Sequence, residues 1–330
     1  MSNKTKLPKL PIPISRKIYK TGQTRGADDD VIYQNRVGRN STVLIPYHQW
    51  INDSTLREAA LEGKFEKGYI VLISPNDYFK ASEKLESSYN LVLGENLLVF
   101  YETRDDWNQF NPDSRGLTVA TSRVAPLCGD YVARVPGTTS KDDFTSSKIQ
   151  RGFNSKNQKG AGIRLYEYSS LETINQCRLQ LEAIFWLCYD SDEVCLDSGM
   201  SQEDIKIRKD EILQSAQENG LLDFPKLREM RILNENNRTI CPLCLEEISA
   251  VGFIDKIAVP LGREVPDLTV TQVSLFHIDE LKYGQFNHKP YNLGWGHHFC
   301  NVVVKDSGID NTIEWMKSVL ARNDKFDKSS

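Results

Sequence analysis

Four of the five histidines, His277, His288, His297 and His298, fall within 22 residues of one another, and Cys300 follows two residues after the last. The text runs CPLCLEEIS over 241–249 and FHIDELKYGQFNHKPYNLGWGHHFCNVVVKD over 276–306. Cys241 and Cys244 are separated by two residues, as are His297 and Cys300, which gives two paired ligands of the type that hold tetrahedral zinc. A Cys-x-x-Cys turn aims both thiolates at one point, and a His-x-x-Cys pair at a turn or helix start does the same from the other side. His298 is the competing ligand, but its spacing to Cys300 is poorer. Cys128, Cys177, Cys188 and Cys195 show no ligand spacing and read as ordinary thiols. An odd total of seven cysteines, without a secretory signal, argues for metal binding over a disulfide framework.

Inside the second half lies a further pattern: His277, Asn292 fifteen residues on, and Asn301 nine beyond that. Together with Leu293, His297, Cys300 and Lys305, it resembles the HNH, or ββα-metal, nucleases over residues 241–305. The usual text of that family is a histidine on a first strand, a loop, an asparagine on a second strand, and a histidine or asparagine on the following helix. Zinc cysteines are often woven through it, and His297 stands here for the customary cysteine. The resemblance implies that His277 is the general base, since an unperturbed imidazole titrates near pH 6.5 and can take a proton from water. It implies that Asn292 hydrogen-bonds across the loop to orient His277, and that Asn301 is a ligand to a catalytic divalent cation, magnesium. The family commonly has Asp or His just before the base, where this chain has Phe276. Asp279 and Glu280 are the nearest carboxylates, and strand alternation favours Asp279 as second ligand. His288 either contacts phosphate or sits exposed in the loop.

The run from Phe276 to Asn301 also resembles the restriction enzymes grouped with BstXI. That likeness implies a sequence-specific type II restriction endonuclease, a palindromic site in double-stranded DNA and a homodimer that cuts both strands. Two other readings are a zinc-stabilised DNA-binding protein without catalysis and a non-specific HNH nuclease. A net charge of −4 weighs mildly against a nucleic-acid partner, but distribution matters more. The first forty residues carry Lys4, Lys6, Lys9, Arg16, Lys17, Lys20, Arg25, Arg36 and Arg39 against Asp28, Asp29 and Asp30. Such an arm suits phosphate contact, and Arg25, Arg36, Arg39 and Asn40 are candidate base readers.

These groups need elements to hold them. At 330 residues, with 39% hydrophobic and 26% charged, the chain has material for two or three domains, and no apolar run approaches the length of a membrane span. A cytoplasmic location is expected. Short β-rich runs alternate with polar breaks at 43–45, 69–74, 90–101, 117–121 and 131–135, which predicts a mixed sheet. A stretch over 137–162 with Lys141, Lys148, Arg151, Lys156 and Lys159 reads as a basic loop. Ser169 and Glu172 stand at capping-box spacing before Ile174, Cys177, Leu181, Ile184, Phe185 and Cys188 on one helical face. A second helix starts near Ser201, carries Ile205, Ile212, Leu213 and Ala216, and stops at Gly220. A last one sets Ile309, Ile313, Met316 and Leu320 together. The fold expected is α+β: a basic arm and mixed β-rich DNA-recognition domain over 1–165, a helical linker or dimerisation region over 166–235, and a zinc-stabilised ββα-metal module with a C-terminal helix over 236–330.

Overall fold

The computed structural model describes residues 7–23, 37–121, 127–135, 149–152, 161–257, 271–282, 285–305 and 307–327. Lys4, Lys6, Arg25, Arg36, Lys141, Lys148, Lys156 and Lys159 lie outside them. The chain divides into two units, Gly22–Ser170 and a second that joins Met1–Thr21 to Leu171–Ser330.

The first unit is built on a six-stranded sheet. Its strands are β1 (Val43–Pro46), β2 (Tyr69–Ile73), β3 (Leu97–Tyr101), β4 (Tyr131–Val135), β5 (Ile149–Arg151) and β6 (Ile163–Arg164), in the order β5-β4-β3-β2-β1-β6. Every pair is parallel except β4 with β5. Parallel neighbours need crossovers, commonly helical ones, and these are α2 (Tyr47–Asn52), α3 (Ser54–Leu61), α4 (Pro75–Tyr89) and α5 (Arg104–Gln109). The strand texts VLIP, YIVLI, LLVFY and YVARV are near-continuous apolar runs because these strands are buried on both faces. Side-chain oxygens of Asp53, Ser74 and Thr103 each accept from a backbone N–H in the first turn of the helix that follows. Four of the five expected strands are present, with the run over 90–101 reduced to Leu97–Tyr101. The run over 117–121 forms only a single bridge, Val119 to Tyr131.

Arg39, a candidate base reader by sequence, is instead built into the fold. It is buried, its guanidinium donates to the Glu167 carbonyl, and its own carbonyl accepts from Ser169. Asn40 donates to the Glu66 carboxylate at 2.8 Å. Arg151 lies on β5, paired with Asp113 and set over the Trp107 ring.

In the second unit α1 (Ile12–Tyr19), α6 (Leu171–Trp186), α7 (Ser191–Asp197), α8 (Gln202–Glu218) and α9 (Phe224–Glu229) lead into β7 (Val273–His277), β8 (Leu293–His297), α10 (His298–Val304) and α11 (Ile309–Asp327). One core takes Ile14 and Ile18 from α1, Cys177, Leu181 and Ile184 from α6, and Ile205, Ile212 and Ala216 from α8. Phe276, Leu293, Trp295 and Ile309 complete it. The stretches expected as 166–235 and 236–330 therefore share a core, and part of the expected N-terminal arm joins them. Ser201 caps α8 through Asp204 N–H, and Gly220, at φ +66°, follows its end.

A buried ion pair clamps the N-terminal segment. Arg208 on α8 reaches both carboxylate oxygens of Glu182 on α6, at 2.6 and 2.9 Å, and donates to the Pro8 carbonyl. The Tyr19 hydroxyl donates to Glu182 at 2.7 Å. Its pKa is pushed up to about 12, chiefly by burial and then by the Glu182 charge, so the phenol stays a donor. Glu182→Ala should cost about 3–5 kcal/mol, because it strands a buried guanidinium. Glu182→Leu combined with Arg208→Met should cost less than that single change. Urea unfolding of the three proteins measures both.

Candidate functional site

β7 and β8 form an antiparallel pair in which Val273 faces His297 and His277 faces Leu293, and α10 packs on both strands. Chain order is thus strand, loop, strand, helix. His277 is the last residue of β7, Asn292 immediately precedes β8, and Asn301 lies on α10. Glycines make the pair thin. A Cβ added at Gly296 would meet the Phe276 ring at 2.4 Å, so the ring lies against bare backbone there. Phe276 is fully buried. The residue before the expected base therefore points into the core, which is why an apolar ring stands there.

Cys241, Cys244, His297 and Cys300 come together with their ligand atoms all within 4.8 Å of one another, and among the described residues this is the one such group of three or more His, Cys, Asp or Glu side chains. The first pair lies on a tight turn. Leu245 N–H donates to the Cys241 carbonyl, Cys241 N–H to the Glu246 carbonyl, and Leu245 takes φ +64°. Arg231 Nε holds the Pro242 carbonyl at 2.8 Å. The second pair sits at the junction of β8 and α10, where His297 is both the last strand residue and the N-cap. Cys244 Sγ is 3.2 Å from His297 Nδ1. Burial and the neighbouring Cys241 and Cys244 push the Cys300 thiol upward. Three sulfurs and one imidazole at this spacing fit a tetrahedral zinc ion, which would relieve that crowding. His298 is outside the group; its backbone N–H donates to the Gln272 carbonyl.

The loop between the strands is held by buried amides. Asn292 Oδ1 accepts from Asp279 N–H at 2.6 Å, and its Nδ2 donates to the carbonyls of Asn287 and Asp279 at 2.8 and 3.2 Å. Asn287 in turn donates to the Glu280 carbonyl. Asn292→Ala would leave three loop groups without this partner, at a cost of about 2–3 kcal/mol, and Asn292→Asp, which sets a buried carboxylate against two carbonyl oxygens, should cost at least as much at neutral pH in urea unfolding. Asn301 Nδ2 donates to Ser274 Oγ and the Leu275 carbonyl, both at 3.2 Å, so α10 is tied to the middle of β7.

Asp279 is exposed and lies beyond the end of β7, where strand alternation no longer fixes its direction. It lines a polar cleft of about 500 Å³ with Glu280, Lys282, Gln285, Asn287 and Lys289, and His277 is not part of that lining. His288 departs from expectation: it is fully buried, with Nδ1 at 3.1 Å from His277 Nε2. Gln180 carries no sequence signal beyond its place on a helix. It is fully buried on α6, accepts from Tyr291 N–H at 2.7 Å and donates to the Leu221 carbonyl. Tyr291, at φ +66°, is thereby fixed just ahead of Asn292. Lys17, expected in a free basic arm, donates to the Val273 carbonyl at the start of β7.

The family described as BstXI restriction endonuclease matches residues 16–298. No curated protein and no solved structure matches the chain. Among the described residues no helix is long and apolar enough to cross a membrane.

Proposed function

The chain belongs to the BstXI restriction endonuclease family, and from that premise we propose that it cuts DNA at a ββα-metal (HNH) site with His277 as general base. Membership makes it a sequence-specific restriction enzyme that hydrolyses DNA. The observation that carries the finer reading is the succession of His277 at the end of β7, Asn292 just before β8 and Asn301 on α10, with the Cys/His cluster at the junction of strand and helix.

In this reading His277 takes a proton from water as the water oxygen bonds to phosphorus, and the bond from phosphorus to the 3′ oxygen breaks. Asn292 fixes the loop and thereby the end of β7. Asn301 offers a hard amide oxygen and Asp279 an exposed carboxylate, donors that suit magnesium rather than zinc. When bound, such a cation stabilises the charge that builds on the phosphoryl oxygens and the leaving 3′ oxygen. The Cys241, Cys244, His297 and Cys300 site takes structural zinc, which secures the turn at 241–245 against the start of α10.

Target choice belongs in this proposal to the Gly22–Ser170 unit, and symmetric cutting of both strands to a homodimer. On α11, Ile309 and Ile313 face the core, whereas Met316 and Leu320 are exposed together with Trp315, which supports a second subunit there. A cytoplasmic location follows from DNA as substrate. The test is digestion of a long mixed-sequence duplex with and without magnesium. Discrete fragments that require magnesium support the reading. A smear favours a non-specific HNH nuclease, and cutting in the presence of a chelator that strips magnesium rejects the catalytic assignment.

A further inference from the structure

His288 occupies a position that loop residues rarely hold. It lies eleven residues after His277, is fully buried, and presents Nδ1 to His277 Nε2 at 3.1 Å. The rings are tilted by 53° with centroids 5.4 Å apart, so the contact is edge to edge through nitrogen rather than stacking. Its backbone neighbours are fixed on both sides. Asn287 receives Asn292 Nδ2 and Lys289 N–H at its carbonyl, and the Lys289 carbonyl accepts from Asn292 N–H. The ring thus has little freedom to swing away from His277.

Two imidazole nitrogens at this distance share one proton, so one ring donates and the other accepts. If His288 donates, His277 carries its own proton on Nδ1 and has no free lone pair to take another. If His288 accepts, His277 is protonated on Nε2 and carries its basic lone pair on Nδ1, the nitrogen that takes the proton of water in this reading. We propose that His288 is a positioning residue that accepts from His277 Nε2–H, fixing the tautomer and ring plane of the general base. It then keeps that hydrogen bond when Nδ1 takes up the proton of the attacking water. The logic is that of any base oriented by a third group, with a neutral imidazole in place of a carboxylate. The inference rests on the reading of His277 as the base.

The experiment separates an acceptor from a filler of space. His288→Leu keeps bulk and loses the acceptor, whereas His288→Asn is smaller but keeps an oxygen near the position of Nδ1. Each variant is assayed on the long mixed-sequence duplex with magnesium for single-turnover rate, with calcium for DNA affinity, and by thermal unfolding. His288→Leu should cut about 10–100-fold more slowly with affinity unchanged, and His288→Asn should recover most of the rate. In a His277→Ala background, His288→Leu should slow cutting no further. Wild-type rates for His288→Leu, or a smaller loss for Leu than for Asn, overturn the inference while leaving His277 as base. Normal cutting by His277→Ala overturns the reading beneath it. If His288→Leu fails to fold, a His288→Asn rate as low as that of His277→Ala, at unchanged affinity and melting temperature, overturns the inference in its place.

Discussion

His277→Ala abolishes useful cleavage, lowering the magnesium-dependent rate by about 10²–10⁴-fold, the range a positioned general base supplies, while DNA affinity measured with calcium stays within about twofold of wild type. The expectation follows from where the residue sits. His277 ends β7, half-buried, so its removal should cost no more than the partner lost by the buried His288 Nδ1, about 1–3 kcal/mol. Phe276, one place earlier, is fully buried against Gly296, and any substitution there would confound catalysis with folding. His277→Gln tests the same role with less change of volume and should be nearly as slow, because an amide cannot take the proton. Retained cutting in both variants would move the base elsewhere, with the polar cleft at Asp279 the first place to look.

The second large effect concerns the cysteines. The purified chain should carry one zinc per molecule, and Cys241→Ala should lose the metal and destabilise the second unit by at least about 5 kcal/mol, roughly 10–20 °C in melting temperature. Structural zinc contributes about 10–16 kcal/mol in isolated finger peptides. Here the loss is smaller, because Cys241 belongs to a core that α1, α6 and α8 also build. The damage should still reach the cleavage site. His297 pairs with Val273 across the sheet, and Cys300 and Asn301 are adjacent on α10, so freeing the helix start loosens Asn301 from Ser274 and Leu275. Metal analysis, thermal unfolding and cleavage should therefore fail together in Cys241→Ala, whereas Cys128→Ala, an exposed thiol in the other unit, should leave all three unchanged. A zinc-free chain of undiminished melting temperature would refute the structural role.

The sequence by itself determined what depends on local spacing. The Cys241, Cys244, His297 and Cys300 set is readable because a tight turn and a helix start each bring together residues two apart, whatever surrounds them. The long helices α6 and α8 follow from apolar periodicity and caps, α11 follows from periodicity alone, and two strands around His277 and Asn292 are what the family resemblance implies. Short elements were harder to read. Helices α2, α3 and α5, of six to eight residues, are too brief for a 3.6-residue period to stand out from the strands between them. Parallel pairing rests on hydrogen bonds between residues distant along the chain, which leave no periodic mark. Only the tertiary structure decided the fate of individual polar groups. It buried His288 beside His277, spent Arg39 on the Glu167 carbonyl and Lys17 on that of Val273, and enlisted Gln180 from α6 to hold the loop residue Tyr291. A polar side chain becomes structural when packing removes water and supplies a partner from elsewhere in the chain, and a linear text shows neither the lost water nor the partner.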